Sequence, residues 1–168
     1  MNEILQTAGA ELGVVLKTAY AMVLGGVIGW ERELKNRPAG FRTHMLVCGA
    51  AALLVGLADL IAVHFSAEAY RELVRVDPLR LIEAVVAAVG FLGAGAIFRR
   101  GDGDNVSGIT TAASMLMVAV LGIAAGLGTY VLALGATLLT LAVLLVLQLM
   151  EKRTAGARSP QEPRDPPR

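Results

Sequence analysis

Charged residues are scarce in this chain of 168 residues: they make up 17% of it, against about 25% in soluble globular domains. Aromatic residues are also few, at 5%, whereas 55% of the residues are hydrophobic, 19 are glycine and the mean hydropathy is +0.63. This composition excludes a soluble domain, a disordered chain and a fibrous repeat. It predicts close-packed transmembrane helices, because a membrane barrel would show short alternating strands separated by turns.

Cysteine is nearly absent, since Cys48 is the one thiol of the chain. A single cysteine excludes an internal disulfide and a cysteine-rich metal site. The sequence also lacks a Ser/His/Asp arrangement, a Cys/His metal pattern and a phosphate-binding loop, so we expect neither enzymatic activity nor a cofactor. The formal net charge of +1 predicts no nucleic-acid partner. The sequence leaves open whether other side chains bind a metal ion.

Long apolar runs occur five times, near residues 12–29, 44–64, 79–98, 108–127 and 130–150. Each is close to the roughly 20 residues that an α-helix needs to cross a bilayer. The last two belong to one uncharged stretch, and the glycines in 126–129 predict the reversal between them. The first eleven residues lack the basic segment of a signal peptide, so the first helix is expected to remain. The sequence predicts an all-α integral membrane protein with five transmembrane helices in residues 1–150 and a disordered, proline-rich tail in 151–168.

Basic residues fall unequally on the two sides of these helices. Three lie on one side, in the second connection and at the start of the third helix, and eleven lie on the other side. The three are Arg71, Arg75 and Arg80, and the eleven are Arg32, Lys35, Arg37, Arg42, Arg99, Arg100, Lys152, Arg153, Arg158, Arg164 and Arg168. By the positive-inside rule, the C-terminus is expected in the cytoplasm and the N-terminus on the opposite side.

A shift of 68 residues aligns the first two helices with the third and fourth. It places Leu24 on Leu92, Gly25 on Gly93, Arg32 on Arg100, Gly40 on Gly108 and Thr43 on Thr111. Because the copies are two helices apart, they have the same orientation. The alignment predicts a parallel repeat of two helical hairpins about an axis near the membrane normal.

Each copy contains a polar segment, 31–44 or 99–111, that re-enters the membrane at a glycine followed by hydroxyl residues. The N–H groups that begin the next helix attract a side-chain cap or an anion, so Thr43, Thr110 and Thr111 are candidate caps beside a possible anionic ligand. Pro38 and Gly40 are expected to set the turn. The candidate loop cluster comprises Glu31, Arg32, Pro38, Gly40, Arg42, Thr43, His44, Thr110, Thr111 and Ser114.

The same cluster has a simpler interpretation. Glu31 and Arg42 pair and close the loop at the edge of the hydrocarbon, where charged groups need partners. His44 is then an interfacial histidine with satisfied hydrogen bonds, and it acts neither as a ligand nor as a proton relay. The sequence leaves both interpretations open.

Three ionisable residues, Lys17, Asp59 and Glu83, fall inside the apolar runs. Counted at about 1.5 Å per residue from the helix ends, each lies about 6 to 8 Å below the outer boundary of the membrane. We hypothesise that Lys17 neutralises one carboxylate and leaves the other available to a proton or a cation. In the alternative, each side chain extends separately to the nearby interface.

Small residues spaced along helices mark faces that allow close contact between backbones. Candidate packing positions are Gly25, Gly29, Gly90, Gly93 and Gly95, and Gly122 with Gly126 form a further pair. We expect these faces to pack inside the bundle. Because five short helices have few internal interfaces, some faces are also candidates to contact a second copy in a homo-oligomer or a larger membrane complex.

Four ordered blocks of sequence closely resemble the MgtC/SapB family of bacterial inner-membrane proteins. They are residues 28–33 (IGWERE), 37–44 (RPAGFRTH), 90–97 (GFLGAGAI) and 108–114 (GITTAAS). The resemblance implies a five-helix membrane domain with a periplasmic N-terminus. It also implies a link to magnesium limitation and, in some members, survival inside host cells and restraint of the proton-translocating ATP synthase. Longer members carry a cytoplasmic C-terminal domain similar to ACT domains, and this chain has a proline-rich tail in its place.

Two functional hypotheses follow. The first is a non-enzymatic inner-membrane protein of magnesium-linked homeostasis that regulates a membrane partner. The alternative is a transporter or channel for a small ion, either Mg²⁺ or a proton-coupled ion. Mg²⁺ favours carboxylate ligands, whereas the middle of the bilayer offers Ser114, Thr18 and backbone oxygens. The expected partners are the lipid bilayer and either a membrane complex such as ATP synthase or a second copy of the chain.

Overall fold

Five helices and one short ribbon make up the residues that the computed structural model describes, which are 2–65, 77–99 and 106–155. The ribbon pairs β1 (Phe98–Arg99) with β2 (Val106–Ser107) in antiparallel register. The helices are α1 (Asn2–Glu33), α2 (Phe41–His64), α3 (Pro78–Ala96), α4 (Ile109–Gly126) and α5 (Tyr130–Ala155).

These helices are long and apolar enough for a membrane. In the described residues, spans of sufficient length and hydropathy lie in Thr7–Glu33, Phe41–His64, Pro78–Ala96 and Ile109–Gly126, and Tyr130–Val146 is a shorter apolar stretch of α5. Apolar helices satisfy their own backbone hydrogen bonds, which is the condition for residing in lipid. The prediction of an all-α, multi-pass membrane protein is therefore confirmed.

The helix ends differ from the expected ones at the first connection. α1 continues to Glu33 and α2 begins at Phe41, so the connection is residues 34–40, and we call this end of the bundle the loop end. Glu31, Arg32 and His44 thus belong to helices, although the sequence placed them in a polar loop. Glu and Arg are strong helix formers, so the last turn of α1 extends through them. The chain leaves the helix where Asn36 has a φ of 50°.

The reversal between α4 and α5 lies where the sequence predicted it. α4 ends at Gly126, and Gly128 has a φ of 78°, a left-handed conformation that glycine adopts without steric cost. At its other end α5 continues to Ala155. The predicted tail therefore begins within a helix, and its remainder, residues 156–168, lies outside the described residues.

α4 is the central helix and packs against all four others. α1 and α2 form an antiparallel hairpin, because Gly25 lies against Cys48 while Gly56 lies against Val14. α2 and α4 run in the same direction. His44 of α2 contacts Ser114 of α4, and further along both helices Cys48 of α2 lies against Gly122 of α4.

The same directions support the internal repeat. α2 and α4 begin at Phe41 and Ile109, which are aligned by the 68-residue shift, and a glycine precedes each helix. Gly25 packs against the backbone of His44, and Gly93 packs against Ala112. The 68-residue shift aligns Gly25 with Gly93 and His44 with Ala112, so the two contacts are equivalent. Equivalent hairpins with parallel second helices are the geometry expected of a parallel repeat.

The glycines fall into two groups. A β-carbon added at Gly25 or Gly29 would lie 2.6 or 2.8 Å from atoms of α2, and one at Gly93 would lie 3.2 Å from Ala112 Cβ, so these three pack inside the bundle as predicted. At Gly90 and Gly95 an added β-carbon meets no atom within 4 Å. Internal packing is therefore the wrong prediction for Gly90 and Gly95, because α3 turns that face away from α4.

The glycine before α4 gives a first testable prediction. Gly108 has a φ of 96°, and a β-carbon there would stand 2.0 Å from the Ala96 carbonyl oxygen. Gly108→Ala is expected to lower the free energy of unfolding by about 3 kcal/mol, because it combines a left-handed backbone with a clash against another backbone. Thermal unfolding in detergent measures this.

Gly128→Ala is the matched control. It has the same sign of φ, but the nearest atom is the Lys17 Cε, 3.9 Å away. This variant is expected to lose only about 1 to 2 kcal/mol, from the conformation alone. Equal losses in the two variants would contradict the close approach of Gly108 to the end of α3.

Candidate functional site

A group of buried polar residues lies at the loop end, where α1, α2 and α4 meet. We call it the polar cluster, and it consists of Glu31, Arg32, Lys35, His44, Thr111 and Ser114. Its charged part lies at the end of α1 and in the connection that follows. Arg32 Nε lies 2.5 Å from Glu31 Oε2, and Lys35 donates to Oε1 of the same carboxylate. The Arg32 side chain is 2% exposed, so this ion pair is largely removed from water.

His44 joins α2 to α4 within the polar cluster. Its side chain is fully buried, its Nδ1 lies 2.9 Å from the Gly40 carbonyl oxygen, and its Nε2 lies 2.9 Å from Ser114 Oγ. The Ser114 hydroxyl also lies 2.8 Å from the Thr111 carbonyl oxygen. One continuous chain of hydrogen bonds therefore runs from the start of α2 to the first turn of α4.

The number of protons in this chain depends on the charge of His44. Each end is a carbonyl oxygen that only accepts, so the three contacts require three protons. A neutral imidazole and a hydroxyl supply two, whereas an imidazolium and a hydroxyl supply three. The charged groups next to the ring are Glu31 and Arg32. When His44 is charged, the Ser114 hydroxyl donates to the Thr111 carbonyl; when the imidazole is neutral, the single hydroxyl proton serves either that carbonyl or Nε2.

The N-terminus of α2 is capped from α1, and this corrects the expected role of the threonines. The Phe41 N–H donates to Glu33 Oε2 at 2.7 Å, and the residue before the helix, Gly40, provides no side-chain cap. Thr43 lies inside the first turn, beyond the position from which a side chain caps. Thr110 and Thr111 have the same placement in α4, which begins after Gly108 without a side-chain cap in the described residues.

The remaining loop-cluster candidates stand apart from the polar cluster. Pro38, Arg42 and Thr110 are exposed, whereas Thr43 is half-buried. Within the described residues Glu31 forms its ion pairs with Arg32 and Lys35, so the Glu31–Arg42 pair suggested by the sequence is not formed. Arg42 points away because its position follows Phe41 on the outer face of α2.

At the opposite end, the three intramembrane charges do not form a common site. Lys17 lies beside Gly128, where the carbonyl end of α4 favours a cation. Asp59 borders a cavity of about 70 Å³ between α2, α3 and α4, and Glu83 is exposed on α3. No ion pair links Lys17 to either carboxylate in the part of the chain that is described, so the pairing hypothesis is wrong for this structure.

The donor set gives no support for a bound metal ion at the polar cluster. Across residues 2–65, 77–99 and 106–155, no three His, Cys, Asp or Glu side chains are grouped as a metal site requires. The carboxylate of Glu31 is already shared by two cations. Among the described residues, the polar cluster joins α2 to α4 through the contact of His44 with Ser114, while its ion pairs lie at the end of α1 and in the connection that follows.

Two participants were missed by the sequence analysis. Lys35 lies four residues after Glu31, a spacing that places oppositely charged side chains together on one helix face and was therefore a usable signal. The capping role of Glu33 had no such signal, because it depends on how α1 and α2 pack against each other.

Comparisons with known proteins match this chain to one family. A family model described as the MgtC family matches residues 19–153. Protein SapB of Bacillus subtilis is 41% identical over 70% of this chain, and protein SrpB of Synechococcus elongatus is 38% identical over 86% of it. The putative magnesium transporter YhiD of Escherichia coli is 34% identical over 82%. The matched regions span 49% of SapB, 80% of SrpB and 64% of YhiD. No solved structure matches the chain.

Proposed function

This chain belongs to the MgtC family, and from that membership we propose that it acts in magnesium-linked homeostasis by binding and regulating another protein of the inner membrane. The magnesium link rests on the family name and on the relative YhiD, which is named a putative magnesium transporter. Since the chain covers about half of SapB, the proposal concerns what the membrane bundle itself contributes.

One observation favours regulation over conduction through a single chain. Between the polar cluster and the charges at the opposite end, the described bundle is filled by apolar side chains of α1, α2 and α4, including Ile28, Val118 and Leu121. α2 and α4 also approach closely, because a β-carbon at Gly122 would stand 2.1 Å from the Cys48 carbonyl oxygen. Mg²⁺ retains several waters and takes oxygen ligands, so this tightly packed apolar layer is a poor path for it.

α3 is where we expect a protein partner to bind. It is the least buried of the four long apolar helices, Phe91 on it is 81% exposed, and Gly90 meets no atom of the bundle. Small residues allow helices to approach within backbone contact in lipid. A membrane complex such as ATP synthase and a second copy of this chain are both partners of the required kind.

Purification under low magnesium tests the proposal. A tagged chain extracted in mild detergent is expected to retain a membrane protein in fixed proportion, and Gly90→Leu is expected to release it, because the larger side chain fills the contact face. Gly135→Leu on α5 is the matched control, since Gly135 also meets no atom within 4 Å. Co-purification of two differently tagged copies distinguishes a homo-oligomer from a heterologous complex.

Liposomes provide the opposing measurement. The proposal expects no Mg²⁺ or proton flux above that of protein-free vesicles. Flux that is lost in Glu31→Ala would instead support the transporter hypothesis, in which several chains surround a pore. If neither Mg²⁺ or proton flux nor a co-purified membrane protein is observed, the regulatory proposal is contradicted, because no partner binds the chain.

A further inference from the structure

A groove on the lipid-facing surface lies between α1 and α2 near the loop end. Its volume is about 360 Å³, and its walls include Met22, Val23, Gly26 and Trp30 of α1 and Phe41 and Met45 of α2. Gly26 forms the narrow part, since a β-carbon there would come within 3.1 Å of both Phe41 and Met45. The absence of a side chain at this position therefore keeps the groove open.

An aromatic pair closes the loop-end side of the groove. Trp30 is 59% exposed and packs edge-on against Phe41, with ring centroids 5.9 Å apart. Tryptophan is enriched at the membrane–water boundary because its ring is apolar while its N–H remains hydrated. The groove thus runs from this boundary into the hydrocarbon.

The charges beside the groove do not cancel. Within 2–65, 77–99 and 106–155, the two acidic side chains next to the groove are engaged: Glu31 by Arg32 and Lys35, and Glu33 by the N-terminus of α2. Arg37 and Arg42 are exposed, and neither has an ion pair among the described residues. The sequence shows acids and bases interleaved, whereas the fold leaves Arg37 and Arg42 without an ion pair among the residues that the structure describes.

Arg42 is adjacent in α2 to residues that line the groove. It follows Phe41 directly and precedes Met45 by one helical turn, and both of these residues line the groove. A guanidinium group binds a phosphate through two parallel hydrogen bonds, and the weaker hydration of Arg favours this contact at an interface. A basic group at an apolar slot is the arrangement that anionic lipid requires.

We propose that this groove is a binding site for one anionic phospholipid, with an acyl chain against Gly26 and the phosphate at Arg42, next to the lining residue Phe41, while the exposed Arg37 adds positive charge at the same end of the bundle. A zwitterionic lipid places its own cation close to the arginines and loses the charge complementarity. The site is independent of the proposed regulatory function, because lipid binding does not require the protein partner.

Thermal unfolding in a neutral detergent, with phospholipid added, tests the site. Phosphatidylglycerol is expected to raise Tm in a saturable manner, as a ligand specific for the folded state does, whereas phosphatidylcholine has little effect. Arg42→Ala is expected to weaken the phosphatidylglycerol affinity about fivefold, the usual effect of one basic residue at an anionic lipid surface. In detergent alone this variant unfolds like the original protein.

Filling the groove tests the acyl-chain contact separately. Val23 is exposed, so Val23→Trp occupies the groove without disturbing the core, and it is expected to remove most of the phosphatidylglycerol effect while Tm in detergent is retained. Leu138→Trp, at an exposed position on α5, is the matched control and keeps the effect.

Several results would overturn the site. Equal stabilisation by both lipids would indicate nonspecific solvation. Full stabilisation by glycerol phosphate would mean that the headgroup alone binds, with no role for the groove. If phosphatidylglycerol still raised Tm in both Arg42→Ala and Val23→Trp, the lipid would bind elsewhere on the protein. The same conclusion would follow if the rise in Tm accompanied dimer formation on size exclusion.

Discussion

Replacing Gly122 with alanine is expected to prevent stable folding of the bundle. A β-carbon at this position would stand 2.1 Å from the Cys48 carbonyl oxygen and 2.9 Å from Ala51 Cβ, so relief requires α2 and α4 to move apart. Since α4 packs against every other helix, this movement disturbs the whole core. We expect a loss of at least about 3 kcal/mol, the upper range for overpacking. Thermal unfolding in detergent and the yield of monodisperse protein measure it.

Gly90→Ala is the control for this prediction. Gly90 is also a helical glycine, but a β-carbon there meets no atom within 4 Å. Alanine has the higher helix propensity, so this variant is expected to be unchanged or more stable by up to about 1 kcal/mol. If Gly122→Ala unfolded at the same temperature as Gly90→Ala, the backbone contact between α2 and α4 would be refuted.

The second large effect concerns Arg32. Arg32→Ala is expected to lower the free energy of unfolding by about 3 kcal/mol, because removing one member of a buried ion pair leaves Glu31 with less compensation in a region shielded from water. Arg32→Lys is expected to recover only part of this, since an ammonium cannot reproduce the planar guanidinium contact. Chemical or thermal unfolding in neutral detergent provides the comparison.

Arg42→Ala is the matched arginine control. Arg42 is exposed and has no ion pair among the described residues, so its removal is expected to change stability by less than about 0.5 kcal/mol in the absence of anionic lipid. If Arg32→Ala and Arg42→Ala lost similar amounts of unfolding free energy, the loss would come from removing a positive charge near the interface and not from breaking the buried ion pair.

Much of the fold could be predicted because lipid imposes simple rules on sequence. The apolar runs identified the helices, and Gly128 lies in the reversal predicted between the last two. The 68-residue shift aligned Gly40 with Gly108, and α2 and α4 each begin directly after these glycines, although the apolar runs had placed the two starts at residues 44 and 108. These features depend on local hydropathy and on glycine geometry, and both can be read along the chain.

Partners of individual side chains could not be predicted in the same way. The sequence grouped Glu31 with Arg42, and Lys17 with the carboxylates, from their membrane depth alone. Depth does not fix the rotation of a helix about its axis, and this rotation decides which side chains face one another. The structure instead joins His44 to Ser114, 70 residues away, and exposes Gly90 and Gly95 on the open face of α3.

By itself, the sequence determined that the chain is helical, resides in a membrane and consists of two related hairpins followed by a fifth helix, because hydrophobic length and periodic glycines express these properties directly. Only the tertiary structure decided which of its few charges are neutralised. The packing of α1 against α2 engages Glu31 and Glu33 internally, and in the described part of the chain it leaves Arg37 and Arg42 without an ion pair. Charge balance within a folded protein depends on distance, and helix packing sets the distances.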